Sequence, residues 1–196
     1  MLKITRLSAK FDIIPLFNGK ITISSVQLFG FNINLNKPAP HMEPNFKFVL
    51  DAFASKDTVK TKKDIDLRIN SILIRRGKLS YDVLSEEETP GKFNPQHIKL
   101  HNIIANISLK ALQNDSINAA IKRLSVDEQS GFELRKLSLK VIANNKGMKI
   151  ENFAIEMPGT EMKMDTIRME YDSLKALNHF ADNVRFSFRT LPSHVT

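Results

Sequence analysis

An eight-residue pattern recurs six times in this sequence: apolar, any, apolar, any, polar, apolar, any, apolar. The copies are Leu2–Ala9, Ile21–Leu28, Leu67–Ile74, Ile98–Ala105, Phe132–Leu139 and Met148–Ile155. Apolar residues two positions apart lie on one face of a β-strand. The step of three in the middle would turn the second apolar pair to the other face, unless a β-bulge adds a residue and restores the face. Each copy therefore predicts a strand with one apolar face and a bend at its fifth position. The fifth positions are Arg6, Ser25, Ser71, Asn102, Lys136 and Asn152.

The composition predicts one folded, β-rich domain over residues 1–196. Hydrophobic residues make up 42% of the chain, which argues against disorder, and the absence of Cys excludes disulfides and thiolate metal sites. The formal net charge is +8, and most Lys and Arg residues occupy the "any" positions, which indicates a solvated strand face. Two short clusters, Lys60–Lys63 and Arg75–Arg76, could attract the phosphates of nucleic acid or anionic lipid. They are too short to specify a partner.

Turn residues divide the chain into strands joined by loops. Residues 45–55 change to a helical period, so we predict one short helix there, and we predict loops at 56–64 and 84–95. Residues 173–182 suggest a second short helix. The Gly30 and Gly77 positions suggest breaks between strands, and the second half reads as an antiparallel meander with tight turns. No apolar stretch reaches the roughly 20 residues that span a bilayer, and both ends read as cuts in a longer protein.

Motifs for catalysis or metal binding are absent from the sequence. His97 and His101 have the spacing of a helical metal site, but they lie in a strand pattern that separates them by about 13 Å. There is no glycine-rich phosphate loop, nucleophile elbow or acid–base pair. We therefore expect no catalytic residues, no metal and no cofactor. The Phe residues follow the apolar strand positions, which favours packing over base stacking and predicts no nucleic-acid partner.

A sheet with one apolar face must hide that face, and two short helices cannot cover eight or more strands. The sheet could close into a sandwich or curl into a groove. An apolar groove that stays partly open would have to meet acyl chains or an apolar partner.

Three segments carry a resemblance to a known family. Residues 11–35 resemble the opening segment of AsmA-like proteins, residues 66–82 resemble the strand pair that follows there, and residues 44–53 resemble the short linker helix between them. Over essentially its whole length the chain resembles the AsmA/TamB family, in its Bacteroidetes form.

The resemblance implies an elongated, curled antiparallel sheet that forms a U-shaped groove, the β-taco of that family. Family members are anchored in the inner membrane by an N-terminal helix, absent from this chain, and reach across the periplasm. The implied function is conduction of phospholipid acyl chains between the inner and outer membranes. An outer-membrane assembly protein is a possible partner through regions outside this chain.

We therefore expect an all-β, non-enzymatic segment of a periplasmic lipid-transfer protein with an apolar groove. The expected lining residues are Ile21, Ile23, Leu28, Ile69, Ile72, Ile74, Leu100, Ile103, Leu134, Leu137, Ile150, Phe153 and Ile155. The same residues could instead fill a closed sandwich core. Two other functions stay open: an assembly scaffold that binds partner strands at its sheet edges, and an enzyme acting on envelope polysaccharide through clustered carboxylates.

Overall fold

Eleven β-strands and one short helix make up the described part of the chain. The computed structural model describes residues 2–17, 20–48, 66–113, 116–173 and 184–195. The elements are β1 (Leu2–Asp12), α1 (Ile13–Leu16), β2 (Lys20–Lys37), β3 (Asp66–Ile69), β4 (Ser71–Val83), β5 (His97–Gln113), β6 (Ser116–Glu128), β7 (Glu133–Asn144), β8 (Gly147–Met157), β9 (Thr160–Glu170), β10 (Arg185–Thr190) and β11 (His194–Val195).

All the strands belong to one sheet with the order β1-β2-β4-β5-β6-β7-β8-β9-β10. The segment β3 pairs with β2 in the same register as β4, so the two form one strand interrupted at Asn70. Similarly, β11 continues β10 along the edge of β9. The sheet is mostly antiparallel, and it curls without closing. The predicted fold class, an all-β chain forming a curled sheet, is confirmed.

The first strands depart from the predicted arrangement. β2 pairs with β4 in parallel, with Val26 opposite Ile72, so the antiparallel meander begins only at β4. Gly30 and Gly77 do not separate strands, because each lies inside one continuous strand. Gly30 allows a bend within its strand, and Gly77 leaves room for a neighbouring side chain, so neither glycine forms a turn. The predicted helices at 45–55 and 173–182 lie largely outside the described residues, and the predicted loop at 56–64 lies wholly outside them.

The strands bend where the repeated pattern predicts. Asn102 and Asn152 have φ angles of 53° and 54°, and the strand register shifts beside both of them. Register also shifts next to Ser25 and Lys136. Asn70 breaks the strand immediately before Ser71. These bends are confirmed. At Arg6 the pairing with β2 runs through without a shift; because β2 also bends at this level, at Gly30, the register does not test the bend in β1, and it stays a prediction.

The bends also reveal three further copies of the pattern. They are Val26–Ile33, Ile72–Leu79 and Ala119–Val126. The fifth positions of the first two are Gly30 and Arg76, which have φ angles of 65° and 56°. In the parallel pair these two copies align residue for residue, so β2 and β4 bend at the same level. The register also shifts beside Arg123, the fifth position of the third copy.

No second layer of described residues covers the sheet. The buried apolar residues are few: Phe31, Val83, Ala105, Leu134, Ala143, Tyr171 and Val184. No large side chain among the described residues is fully buried. A sandwich of this size would enclose a core of fully buried side chains. The described strands therefore form a curled single sheet and not a closed core.

Candidate functional site: an apolar trough

One uninterrupted row of apolar residues crosses eight neighbouring strands. Each residue of the row pairs directly with the next. The row consists of Leu7, Leu28, Ile74, Ala105, Leu124, Leu137, Ile155 and Met162. With strands about 4.8 Å apart, seven steps give a path of roughly 34 Å. Because the bends lie within the strands, the trough formed by bending runs across them, along this row.

Further apolar rows lie beside the first on the same face. Val26, Ile72, Ile107, Ile121 and Leu139 pair in sequence from β2 to β7. A third row joins Val141, Ile150, Ile167 and Phe188 from β7 to β10. These rows widen the apolar face on the same side of the sheet, and we call this face the trough.

The predicted lining residues lie in strands opposite apolar or small partners. Leu28, Ile74, Leu137 and Ile155 belong to the central row, and Ile72 and Ile150 belong to the neighbouring rows. The remaining pairs with described side chains are Ile23 with Phe11, Leu100 with Leu79, Ile103 with Gly77, Leu134 with Val126 and Phe153 with Met164. The backbones of Ile21 and Ile69 pair with Leu67 and Ile23, but their side chains lie outside the described residues.

The predicted side chains that are described are half-buried, except for Leu134, which is 7% exposed. No covering layer among the described residues accounts for this partial burial, so it comes from neighbours on the same curled face. Their remaining surface is open to a ligand. Four residues of the central row were not among the predicted lining residues: Leu7, Ala105, Leu124 and Met162. Leu7 and Ala105 lie in copies of the pattern that were recognised, and Leu124 is the sixth position of the unrecognised copy Ala119–Val126.

The Phe31 ring packs closely over Gly77 in the trough. Phe31 is 7% exposed, and its ring lies where a side chain at position 77 would start. A Cβ atom on Gly77 would lie 2.4 Å from Phe31 Cε1 and 3.0 Å from Ile103 Cβ. Only glycine therefore allows the Phe31 ring to pack across β4 toward Ile103. At Gly30, the Thr5 hydroxyl donates to the carbonyl oxygen at 3.0 Å, which ties β1 to the bend in β2.

The opposite face carries most of the charged residues of β7 and β8, and these residues form ion pairs. Lys136 and Lys140 each lie 2.7 Å from a β8 carboxylate, Glu156 and Glu151 respectively. Lys149 also binds Glu151. Hydrogen bonds from Lys140 and Lys149 lower the pKa of Glu151 to about 2. Over β7 and β8 this face is solvated and compensated in charge, in contrast to the apolar trough.

A second cluster, of potential metal ligands, lies at the base of the 84–96 loop. Asp82, Glu88 and His97 each offer one ligand atom, and these atoms lie within 4.8 Å of one another. All three side chains already have hydrogen-bond or ion-pair partners within the protein. His97 lies 3.1 Å from Asp82 Oδ1 and 3.0 Å from the Glu86 carbonyl oxygen. Lys99 Nζ lies 3.0 Å from Glu88, and this hydrogen bond lowers the pKa of the Glu88 carboxyl. These contacts attach the loop to β4 and β5. His101 lies apart from them, 3.8 Å from Asp127.

Comparison of the chain with protein-family models, with curated proteins and with solved structures finds no match. Among the described residues, no helix has the length and apolar character needed to cross a membrane.

Proposed function

We propose that the trough binds the acyl chains of phospholipids, as a segment of a periplasmic lipid-transfer protein. The observation that carries the proposal is the unbroken apolar row from β1 to β9, whose side chains, apart from the buried Ala105, keep exposed surface that no described residue covers. A row of this kind suits a long apolar ligand better than a compact one. It offers no reactive groups, so binding rather than catalysis is the activity it favours.

The dimensions and energetics support an acyl ligand. One acyl chain spans half of a hydrocarbon core, about 15 Å, so a trough of roughly 34 Å accommodates its full length. Each methylene removed from water contributes about 0.8 kcal/mol. The strand ends carry polar turns such as Asn144–Gly147 and Asp127–Gly131, where a hydrated headgroup would remain in water. The resemblance to the AsmA/TamB family supports phospholipid as the cargo and the bacterial periplasm as the location.

Adjacent residues on the two faces of β4 allow a matched test. Ile72 lies between Val26 and Ile107 in the trough, whereas Leu73 lies between Gln27 and Asn106 on the other face. Both side chains are half-buried. We expect Ile72→Asp to abolish binding of a fluorescent fatty acid while Leu73→Asp retains it, with circular dichroism confirming that both fold. Equal binding by the two folded variants would contradict the proposal.

The open sheet edges favour a second candidate, an assembly scaffold. β1 pairs only with β2, so one edge of its backbone is free among the described residues. Such an edge can accept a partner strand. A proline at Ala9, which pairs with Val26 at the end of a trough row, would block strand addition at this edge. Partner binding that is lost in Ala9→Pro, with no lipid recovered from protein purified out of native membranes, would favour the scaffold.

A further inference from the structure

Cations gather without acidic partners on the outer face of the first strands. Among the described side chains, β1, β2 and β4 carry seven Lys and Arg residues and two acids, Asp12 and Asp82. By contrast, β7, β8 and β9 carry six cations and six acids, several of them joined in ion pairs. The excess of positive charge is therefore local to one end of the sheet.

Five of the cations lie around Phe29 and Asn32 of β2, and we call these cations together with Phe29 the Phe29 cluster. Its members are Lys3, Arg6, Phe29, Arg75, Arg76 and Lys78. Arg6 and Arg75 flank Phe29 in direct strand pairing, and Lys3 and Lys78 flank Asn32 in the same way. None of the five cations has an ion-pair partner among the described residues. Asp127, an acidic residue farther along this face, is engaged elsewhere, because it accepts a hydrogen bond from Asn102 at 2.7 Å.

Phe29 holds two of the guanidinium groups in place. The Cζ atoms of Arg6 and Arg76 lie 5.3 Å and 5.2 Å from the ring centroid, within the range of a cation–π contact. Stacking fixes a guanidinium while leaving its N–H donors free to bind phosphate oxygens in pairs. The bend at Arg76, with φ of 56°, places this side chain beside the ring, although it lies outside the regular alternation of β4.

The geometry points to a site for anionic phospholipid headgroups: we propose that the Phe29 cluster binds their phosphate groups on the face opposite the trough. The cluster spans two strand spacings and three residues along each strand, roughly 10 Å by 10 Å. A single free phosphate ion is too small to contact all the cations in this area, whereas several neighbouring phospholipid headgroups would cover it. Two guanidinium groups already contact the Phe29 ring, which disfavours base stacking and therefore single-stranded nucleic acid. The assignment of the phosphate to a lipid rests on the proposed function.

Flotation of the full chain with vesicles tests this site. We expect binding to phosphatidylcholine vesicles only after phosphatidylglycerol is added, and weaker binding as salt rises. Arg6→Gln and Arg76→Gly should each lower the affinity at least about tenfold, because each removes charge-assisted hydrogen bonds. Glycine at position 76 preserves the backbone conformation. Phe29→Leu should weaken binding while keeping every charge. Arg168→Gln, in the charge-balanced part of the sheet, is the matched control.

The outcomes separate this site from the trough. Unchanged vesicle binding in Arg6→Gln and Arg76→Gly would overturn the proposal, as would equal loss in Arg168→Gln. Binding of inorganic phosphate without binding to vesicles would overturn the headgroup assignment and identify a site for free phosphate. Fatty-acid binding, which depends on Ile72, should survive in all of these variants. If fatty-acid binding is absent in the unmodified chain but vesicles still bind, the proposed trough function fails and the Phe29 cluster stands.

Discussion

Replacing Gly77 with alanine tests the packing of the trough most sharply. The new Cβ would lie 2.4 Å from Phe31 Cε1 and 2.5 Å from Phe31 Cζ. Carbon atoms in contact prefer about 3.5 Å or more, so the ring must move by about 1 Å. Phe31 is 7% exposed, and Ile103 Cβ, 3.0 Å from the new Cβ, leaves the added methyl group little room to shift. Overpacking of this kind costs about 1–3 kcal/mol. With a denaturant slope of about 2 kcal/mol per molar, the urea midpoint should fall by about 0.5–1.5 M.

Circular dichroism of the β-sheet signal during urea unfolding measures this effect. Phe31→Leu provides the control, because a smaller side chain leaves room for the added methyl group. The combined variant should cost less than the sum of the single changes, with a coupling energy of about 1 kcal/mol or more. If Gly77→Ala changes stability by less than about 0.5 kcal/mol, or if the two changes add, the ring does not pack across Gly77.

Three further predictions concern bends, charge and a buried hydroxyl. Asn152→Val should destabilise the fold by about 1–2 kcal/mol in urea titrations, because φ is 54° there, whereas Asn152→Gly should not. Glu151 has its pKa lowered to about 2 by Lys140 and Lys149, so its contribution to stability is present above the ordinary pKa of 4.5 and disappears as the pH falls toward 2. The urea midpoint should therefore fall more steeply with acid in the unmodified chain than in Glu151→Gln, and parallel curves would argue against the pair. Tyr171→Phe removes a 3.0 Å hydrogen bond to the Asn144 carbonyl oxygen and should cost about 1 kcal/mol, with faster hydrogen exchange near the β7–β8 turn as its signature.

The repeated pattern predicted the local structure well because it reports both strand period and bend. Asn102 and Asn152 occupy fifth positions and adopt the positive φ that asparagine tolerates better than most residues. Gly30 and Arg76 occupy the same position in copies that the sequence analysis passed over. Gly30 was interpreted as a strand break, because glycine serves both turns and bulges and local sequence does not separate the two roles.

Long-range pairing was less accessible to sequence reasoning. The parallel arrangement of β2 and β4 brings Val26 beside Ile72, forty-six positions later. No local turn signal encodes such a pairing, whereas the tight turn at Asn144–Gly147 encodes the pairing of β7 with β8. The central row could not be read from sequence for the same reason. Its members are visible as apolar positions, but their alignment from Leu7 to Met162 depends on the register of every strand between them.

The Phe29 cluster, on the opposite face, could not be predicted from the sequence for the same reason. Arg75–Arg76 was visible in sequence as a short basic pair without a specific partner. Its significance emerges from the register, which places Arg6 and Arg75 on either side of Phe29. The charge density on a sheet face depends on residues from neighbouring strands. A count of charged residues along the sequence therefore does not reveal it.

Site-specific photo-crosslinking tests most directly whether acyl chains lie along the apolar row, as we propose. A photoreactive phenylalanine analogue is placed at Leu137 or Ile155 in the row, and at Ser138 or Glu156 on the other face. Phospholipid from native membranes should become attached at Leu137 and Ile155 and not at Ser138 or Glu156. Attachment at all four positions, or at none while the protein remains folded, would contradict a lipid-binding trough.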